Sequence, residues 1–230
     1  MSKRNKLQKF AEILSFPNVL ENIDPAVPVL TRNQFEQVML NGRWNQDQFP
    51  ANQPITLELA CGRGEYTLGL AEMYPTRNFI GVDVKGARIW RGAKNALDKQ
   101  LSNAAFLRTR IEQIQLFFEP GEISEIWITF PDPFLKNTKT NRRLTSHRFL
   151  TAYRQLLKEG GLMHLKTDSD ELYQFSLESL ATYPGVELLY HNPDIYSGSL
   201  VLPELSIKTY YERMHLAEEK TIKYIQWTLS

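Results

Sequence analysis

The sequence predicts an α/β fold built on a doubly wound, mostly parallel sheet. Three observations carry that expectation. From about residue 54 onward, short apolar runs alternate with amphipathic stretches, the order that right-handed strand–helix–strand crossovers produce. Several of those runs are apolar on both faces, as strands covered by helices on each side must be. With 230 residues, 42% hydrophobic and 11% aromatic, the chain can bury one sizeable core.

Residues 1–50 lack the alternation and read as an N-terminal extension, with one short helix near Lys6–Leu14 and proline-punctuated loops. Residues 51–230 read as the main domain. Its strands are ITLELA, NFIGVD, AAFLRT, EIWITF, GLMHLKT and VELLY, in that order. Between them Tyr66–Met73, Lys85–Leu97, Ile111–Phe118, Arg142–Lys158 and Ser169–Tyr183 read as helices. The fourth is the clearest, because Phe149, Leu150, Tyr153, Leu156 and Leu157 share one face and Gly160-Gly161 supply a stop. The sequence shows no internal repeat and no low-complexity tract.

Composition narrows the function. One cysteine, Cys61, rules out an internal disulfide and points to a reducing setting. No run approaches the roughly 18 apolar residues of a membrane span. The opening MSKRNKLQKFAEILSF is basic, but its apolar part is short and holds Glu12, so it makes a poor signal peptide. A formal net charge of +1 argues against a general nucleic-acid binder. The charge is unevenly spread, however. Pro133 to Lys158 contains Lys136, Lys139, Arg142, Arg143, Arg148, Arg154 and Lys158 with no acid, leaving the rest of the chain negative. A polyanion would be met by one face.

In doubly wound sheets, ligands sit beyond the carboxyl ends of the strands. The first such turn is LELACGRGEYT, where Gly62 and Gly64 allow a tight bend and a close ligand approach. Gly-x-Gly alone says little. Glu58 says more, since a carboxylate in an apolar strand is costly without a partner. Asp83 ends the next strand, where an acid can accept from both hydroxyls of a ribose. A nicotinamide dinucleotide would want a third glycine where Thr67 stands, and an acid beside the turn would repel its pyrophosphate. The same acid suits the amino group and sulfonium of S-adenosyl-L-methionine, so that cofactor is favoured. The structural alternatives are that Glu58 accepts from loop amides and that Asp83 caps the following helix.

FPDPFLKNTKTNRR, from Phe130 to Arg143, places Asp132 between two prolines that fix their own φ and restrict the preceding residue. The carboxylate is thereby held extended at the end of EIWITF, facing the expected cofactor crevice, unless it merely caps a turn. Lys136, Lys139, Arg142 and Arg143 behind it suit phosphates, though a solvated basic helix face would have the same composition. A carboxylate only accepts hydrogen bonds, and guanine offers adjacent donors at N1 and its amino group; adenine and cytosine pair each donor with an acceptor. Methylation at guanine N7 needs no proton removed, and a nearby carboxylate would stabilise the positive charge that the purine acquires.

Taken together, LELACGRGEY, FIGVD, ITFPDPFLK with Arg142-Arg143, HLKTD and TYYE (residues 209–212) resemble the bacterial tRNA (guanine-N7-)-methyltransferases, from about Lys6 to Glu212. The resemblance implies a class I S-adenosylmethionine-dependent methyltransferase fold and methylation of a guanosine in the tRNA variable loop. It implies that Glu58 and Asp83, with Gly62 and Gly64, contact the cofactor and that Asp132 is catalytic and beside it. Lys136, Arg142, Arg143, Asp168, Thr209, Tyr210, Tyr211 and Glu212 would contact RNA, the last four in a loop. The structural alternative for Asp168 is a helix cap, and for Thr209 and Glu212 an ordinary loop. The family often has an acid near the adenine where this chain has Arg110; either Glu112 substitutes or backbone amides hold the base. Phe134 replaces a common tryptophan, and Thr140-Asn141 thins the basic run. The expected partner is tRNA, with no membrane, the chain acting in the cytoplasm as a monomer or homodimer. Lys3, Arg4, Lys6 and Lys9 could reach RNA as well. Two other functions fit parts of the pattern: a non-catalytic RNA-binding protein on the same fold, and a methyltransferase for a small molecule or protein.

Overall fold

The computed structural model describes residues 3–22 and 24–230, apart from the side chains of residues 3–6 and Asn137. The RNA contacts expected of Lys3, Arg4 and Lys6 therefore lie outside the described side chains. The chain divides into two units, Met1–Glu119 and Pro120–Ser230.

The first unit opens with α1 (Lys3–Ile13), β1 (Val19–Glu21), β2 (Leu30–Arg32), β3 (Glu36–Val38) and a one-turn helix, α2 (Trp44–Asp47). The alternating region follows as β4 (Ile55–Leu59), α3 (Glu65–Met73), β5 (Asn78–Asp83), α4 (Gly86–Asp98) and β6 (Ala104–Arg108), with a 3-10 turn at Ile111–Leu116. Its strands lie in the order β3-β2-β1-β6-β5-β4. From β1 through β4 the pairing is parallel, and β2 and β3 add antiparallel at the edge. Every residue of β4 and β5 is buried, as the double-faced apolar runs require.

Two expectations fail in this unit. Residues 1–50 hold more than a helix and loops: β1 extends the parallel sheet beside β6, with Val19, Leu20 and Glu21 all buried. Trp44 pins α2, donating from Nε1 to the Phe117 carbonyl at 2.8 Å and stacking on Phe118 at 5.1 Å. Three-residue strands are too short to display a period in sequence. The helix expected over Ile111–Phe118 is only the 3-10 turn, because Phe117 and Phe118 leave it to enter the core.

The second unit contains β7 (Ile123–Thr129), a 3-10 turn (Asn137–Arg142), α5 (His147–Leu156), β8 (Leu157–Thr167), α6 (Asp170–Thr182), β9 (Val186–Asn192), a 3-10 turn (Pro203–Ser206), α7 (Tyr210–Ala217) and β10 (Lys223–Leu229). Its strand order is β7-β8-β10-β9; β7 and β8 are parallel, and β10 runs antiparallel to both neighbours. Trp127 of β7 stacks on His164 of β8 at 3.9 Å and on Tyr224 of β10 at 6.1 Å, which ties the three strands through one aromatic column.

The helix expected from Arg142 to Lys158 is shorter at both ends. Residues 137–142 wind a separate 3-10 turn, and Ser146 takes an extended conformation at the start of α5. At the other end Leu157 turns extended and begins β8 directly. Gly160-Gly161 therefore do not stop a helix. They form an irregularity inside β8, with Gly160 at φ +70° and a register shift between Ile123 and Glu125 opposite. Among the described residues no helix is long and apolar enough to cross a membrane.

Candidate functional site

The turn after β4 reverses through left-handed backbone at Ala60 (φ +60°), Gly62 (φ +56°) and Gly64 (φ +68°). The two glycines serve different ends. A Cβ on Gly64 would lie 2.5 Å from the Phe106 ring, so this glycine lets the turn close onto β6. At Gly62 the nearest atom to a Cβ would be 3.9 Å away, so its left-handed backbone rather than crowding favours glycine there. Glu58, 2% exposed, accepts at Oε2 from the Thr67 backbone N–H (2.8 Å) and, in a short contact, from the Thr67 hydroxyl. Thr67 thus stands where a dinucleotide fold would want glycine, and the space is found instead at Gly81, whose missing Cβ would meet Thr67 Oγ1 at 2.8 Å. Asp83 is not the cap of α4. Its Oδ2 accepts from Gly62 N–H at 3.0 Å and its Oδ1 from Lys85 N–H at 2.8 Å, so it fastens the glycine turn to the end of β5. Each oxygen keeps acceptor capacity for a hydroxyl. Between the two acids lies Cys61, whose thiol is pushed well above its ordinary value by burial, with Glu58 and Asp83 adding to it.

A cavity of about 310 Å³ opens at the ends of β1, β5 and β6, lined by residues that include Val84, Thr109, Arg110 and Gln113. Val84, the residue after Asp83, is 52% exposed and offers this cavity an apolar surface. Thr109 Oγ1 is buried and has no hydrogen-bond partner among the described residues. An apolar wall and an orphaned hydroxyl fit a nucleoside. Asp83 immediately precedes the lining residue Val84, and the lining itself carries Arg110 and the Glu21–Arg108 ion pair. Arg110 and Gln113 line this cavity, and the exposed Glu112 is not among its lining residues. Val84 and Thr109 were not singled out from sequence, although an apolar residue directly after a strand-ending acid was a usable signal.

In the second unit Asp132 is exposed, and its Oδ1 accepts from the Phe134 N–H at 3.0 Å. The residues on either side of Pro-Asp-Pro both adopt left-handed backbone, Phe130 at φ +47° and Phe134 at φ +43°. For bulky aromatics that is a strained conformation, which persists only where the surroundings impose it. Arg143 is part of those surroundings. The sequence grouped it with the phosphate-facing cations, but it is 6% exposed and donates from Nε to the Pro133 carbonyl (2.9 Å) and from Nη2 to the Phe134 carbonyl (3.2 Å). Its guanidinium lies 4.5 Å over the Phe175 ring. Arg142 stays exposed, 4.7 Å over the Phe134 ring, and Lys136 and Lys139 are exposed too.

Asp168 follows β8 and lines a cavity of about 470 Å³ together with Pro133 and Leu135 of the Pro-Asp-Pro loop. It is not a helix cap; Ser169 caps α6, accepting from Leu172 N–H at 3.2 Å. Thr209–Glu212 is not a loop. Thr209 caps α7, accepting from Glu212 N–H at 3.1 Å, and Glu212 is fully buried against Lys166 Nζ (2.8 Å) and the Tyr196 hydroxyl (2.6 Å). Burial holds Lys166 below the ordinary lysine value, with Glu212 working against it. Of this segment, Tyr210 is 43% exposed and meets Tyr211 edge-on at 5.5 Å.

An acid-bearing glycine turn beside a nucleoside-sized cavity, on parallel strands, defines an S-adenosylmethionine-dependent methyltransferase of the class I fold. The 16S rRNA methyltransferase KamB has the same fold, with a TM-score of 0.61 over 84% of this chain and 95% of its own at 14% identity. The 16S rRNA (adenine(1408)-N(1))-methyltransferase of Catenulisporales acidiphilia, solved as a variant with its cosubstrate S-adenosylmethionine, gives a TM-score of 0.54 over 84% of this chain and 93% of its own at 15% identity. Residues 52–224 match a family model described as "Putative methyltransferase". The tRNA (guanine-N(7)-)-methyltransferase of Christiangramia forsetii is 46% identical over 230 residues, covering 100% of both chains. The chain belongs to the tRNA (guanine-N(7)-)-methyltransferase family.

Proposed function

We propose that this chain transfers the methyl group of S-adenosylmethionine to N7 of a guanosine in tRNA, in the variable loop, in the bacterial cytoplasm. The observation that carries the reading is the 46% identity along the whole of both chains to a relative named for that reaction. When bound, the cofactor supplies an electrophilic methyl group on a sulfonium. Asp83, which holds Gly62, would accept from the ribose hydroxyls, and Glu58, which keeps Thr67 and the turn in place, would add negative charge near a cationic ligand. Val84, Thr109, Arg110 and Gln113, which line the cavity, would hold the adenine.

Asp132 selects the base and carries the catalytic role. Its carboxylate accepts from guanine N1–H and the amino group, a pair of donors that adenine and cytosine do not present. N7 already has a free lone pair, so no general base is needed, and a fixed carboxylate lowers the energy of the cationic purine that forms. Position and charge supply most of the acceleration. Lys136 and Arg142 neutralise phosphates, and Asp168 and the Tyr210-Tyr211 pair line the nucleotide's surroundings. Thr209 and Glu212 act by holding α7 in place.

Incubation with methyl-labelled S-adenosylmethionine and unmodified tRNA, followed by digestion to nucleosides, tests the reading. Label in 7-methylguanosine is expected; label confined to any other nucleoside refutes it.

A further inference from the structure

We infer that Arg143 is a positioning residue for Asp132, not a phosphate contact. The inference rests on the catalytic role proposed for Asp132 and adds the group that holds it. Three observations carry it, all within the second unit. The Asp132 carboxylate sits between two phenylalanines in left-handed backbone, Phe130 (φ +47°) and Phe134 (φ +43°), a conformation that relaxes unless something restrains it. The Arg143 fork donates to the carbonyls of Pro133 and Phe134, the two residues directly after Asp132, at 2.9 and 3.2 Å. The guanidinium is itself fixed, 6% exposed and held over Phe175 at 4.5 Å.

The chemistry of the two ends matches. Proline leaves the Pro133 carbonyl as the only backbone hydrogen-bonding group of that residue, and Arg143 Nε takes it. Asp132 Oδ1 accepts from the Phe134 N–H, so the carbonyl of Phe134 is secured by Arg143 and its N–H by Asp132. The loop is thereby held at both polar groups of one residue. Arg143 comes from the segment just after the exposed 3-10 turn that carries Lys139 and Arg142. The tandem arginines therefore divide the work: Arg142 lies outside over the Phe134 ring, and Arg143 lies inside beneath its carbonyl. A lysine has a single ammonium point and cannot reproduce two donors in one plane stacked on an aromatic ring, so Lys is not a conservative replacement here.

The test is a kinetic cycle on the full-length protein. Arg143→Lys lowers kcat at saturating tRNA by about ten- to a hundredfold, the effect of displacing a catalytic group by about an ångström. Affinity for S-adenosylhomocysteine by calorimetry, affinity for tRNA, and the salt slope of tRNA binding stay at wild-type values. On an Asp132→Asn background, Arg143→Lys produces no further loss, because a residue acting through the carboxylate has nothing left to position. Phe175→Leu, which removes only the stacking face, lowers kcat in the same direction by less, and it serves if Arg143→Lys does not fold. Three outcomes overturn the inference: unchanged kcat in both variants, a raised tRNA dissociation constant with a flatter salt slope and normal kcat, or an equal loss on the Asp132→Asn background. Wild-type turnover by Asp132→Asn alone would instead remove the role proposed for Asp132.

Discussion

Glu58 is held in an apolar strand by contacts that include both donors of one neighbour. Its Oε2 takes both the N–H and the hydroxyl of Thr67, and it is 2% exposed, so no water replaces a lost donor. Thr67→Val should cost about 1–3 kcal/mol of stability, the penalty for an undersatisfied buried acceptor; urea unfolding with no shift in midpoint would show that Glu58 does not depend on it. Cys61 lies between Glu58 and Asp83, and burial and both acids hold its thiol protonated far above the ordinary 9.0. Below pH 9 the native and unfolded thiols are alike and nothing is gained or lost. As pH rises further, only the unfolded thiol ionises, so stability falls, and Cys61→Ala should make that alkaline slope shallower, the rest coming from the raised phenols of Tyr173, Tyr196 and Tyr224. An unchanged slope in the variant would place its origin elsewhere. At this scale Glu58 was legible because an acid in an apolar run demands a partner. Lys166, in HLKTD, obeys the same logic and could have been found by it. Arg143 could not: whether an arginine in a basic run faces inward depends on where the 3-10 turn ends, and local composition does not encode that.

The ion pair of Lys166 and Glu212 joins α7 to β8, both side chains wholly buried at 2.8 Å. Lys166 also donates to the carbonyls of Leu205 and Ile207 at 2.9 and 3.1 Å, so one ammonium ties β8 to the segment before α7 as well. Lys166→Met leaves Glu212 charged and buried, and should destabilise the protein by about 3–5 kcal/mol. Amide exchange should accelerate most over Tyr210–Ala217; uniform acceleration across the chain would contradict a tether specific to α7. The strands of the alternating region were legible to within a residue or two at most ends, since buried parallel strands have few ways to be written. The exceptions have physical reasons. β10 carries Lys223 and Gln226 in KYIQWTL, and Lys223 is accommodated by the nearby Thr221 carbonyl at 3.2 Å and by two partners distant in sequence, Asp170 at 2.9 Å and the Asp168 carbonyl at 2.9 Å. α7 looked like a loop because its start is set by the Thr209 cap and its inner face by the buried Glu212, polar residues that hide a helical stripe.

Across the whole molecule, charge is segregated while the net stays at +1. Seven cations without an acid lie between Pro133 and Lys158 in the second unit, and one of them, Arg143, is turned inward; under the proposed function the others supply the phosphate contacts. Binding to tRNA should therefore weaken steeply with salt, and Lys136→Ala should lower the slope of log K against log salt by about one without changing cofactor affinity. An unaltered slope would take Lys136 out of the footprint. The reaction class was legible at this scale from the order of motifs, because an acid–glycine turn followed by Pro-Asp-Pro and cations spells out a cationic cofactor, a purine and a phosphate backbone. The most direct test of the account compares Asp132→Ala with the wild type, reading 7-methylguanosine formed in tRNA alongside S-adenosylmethionine binding by calorimetry. The account predicts a turnover loss on the order of a hundredfold or more with cofactor affinity intact; wild-type turnover in the variant would contradict it.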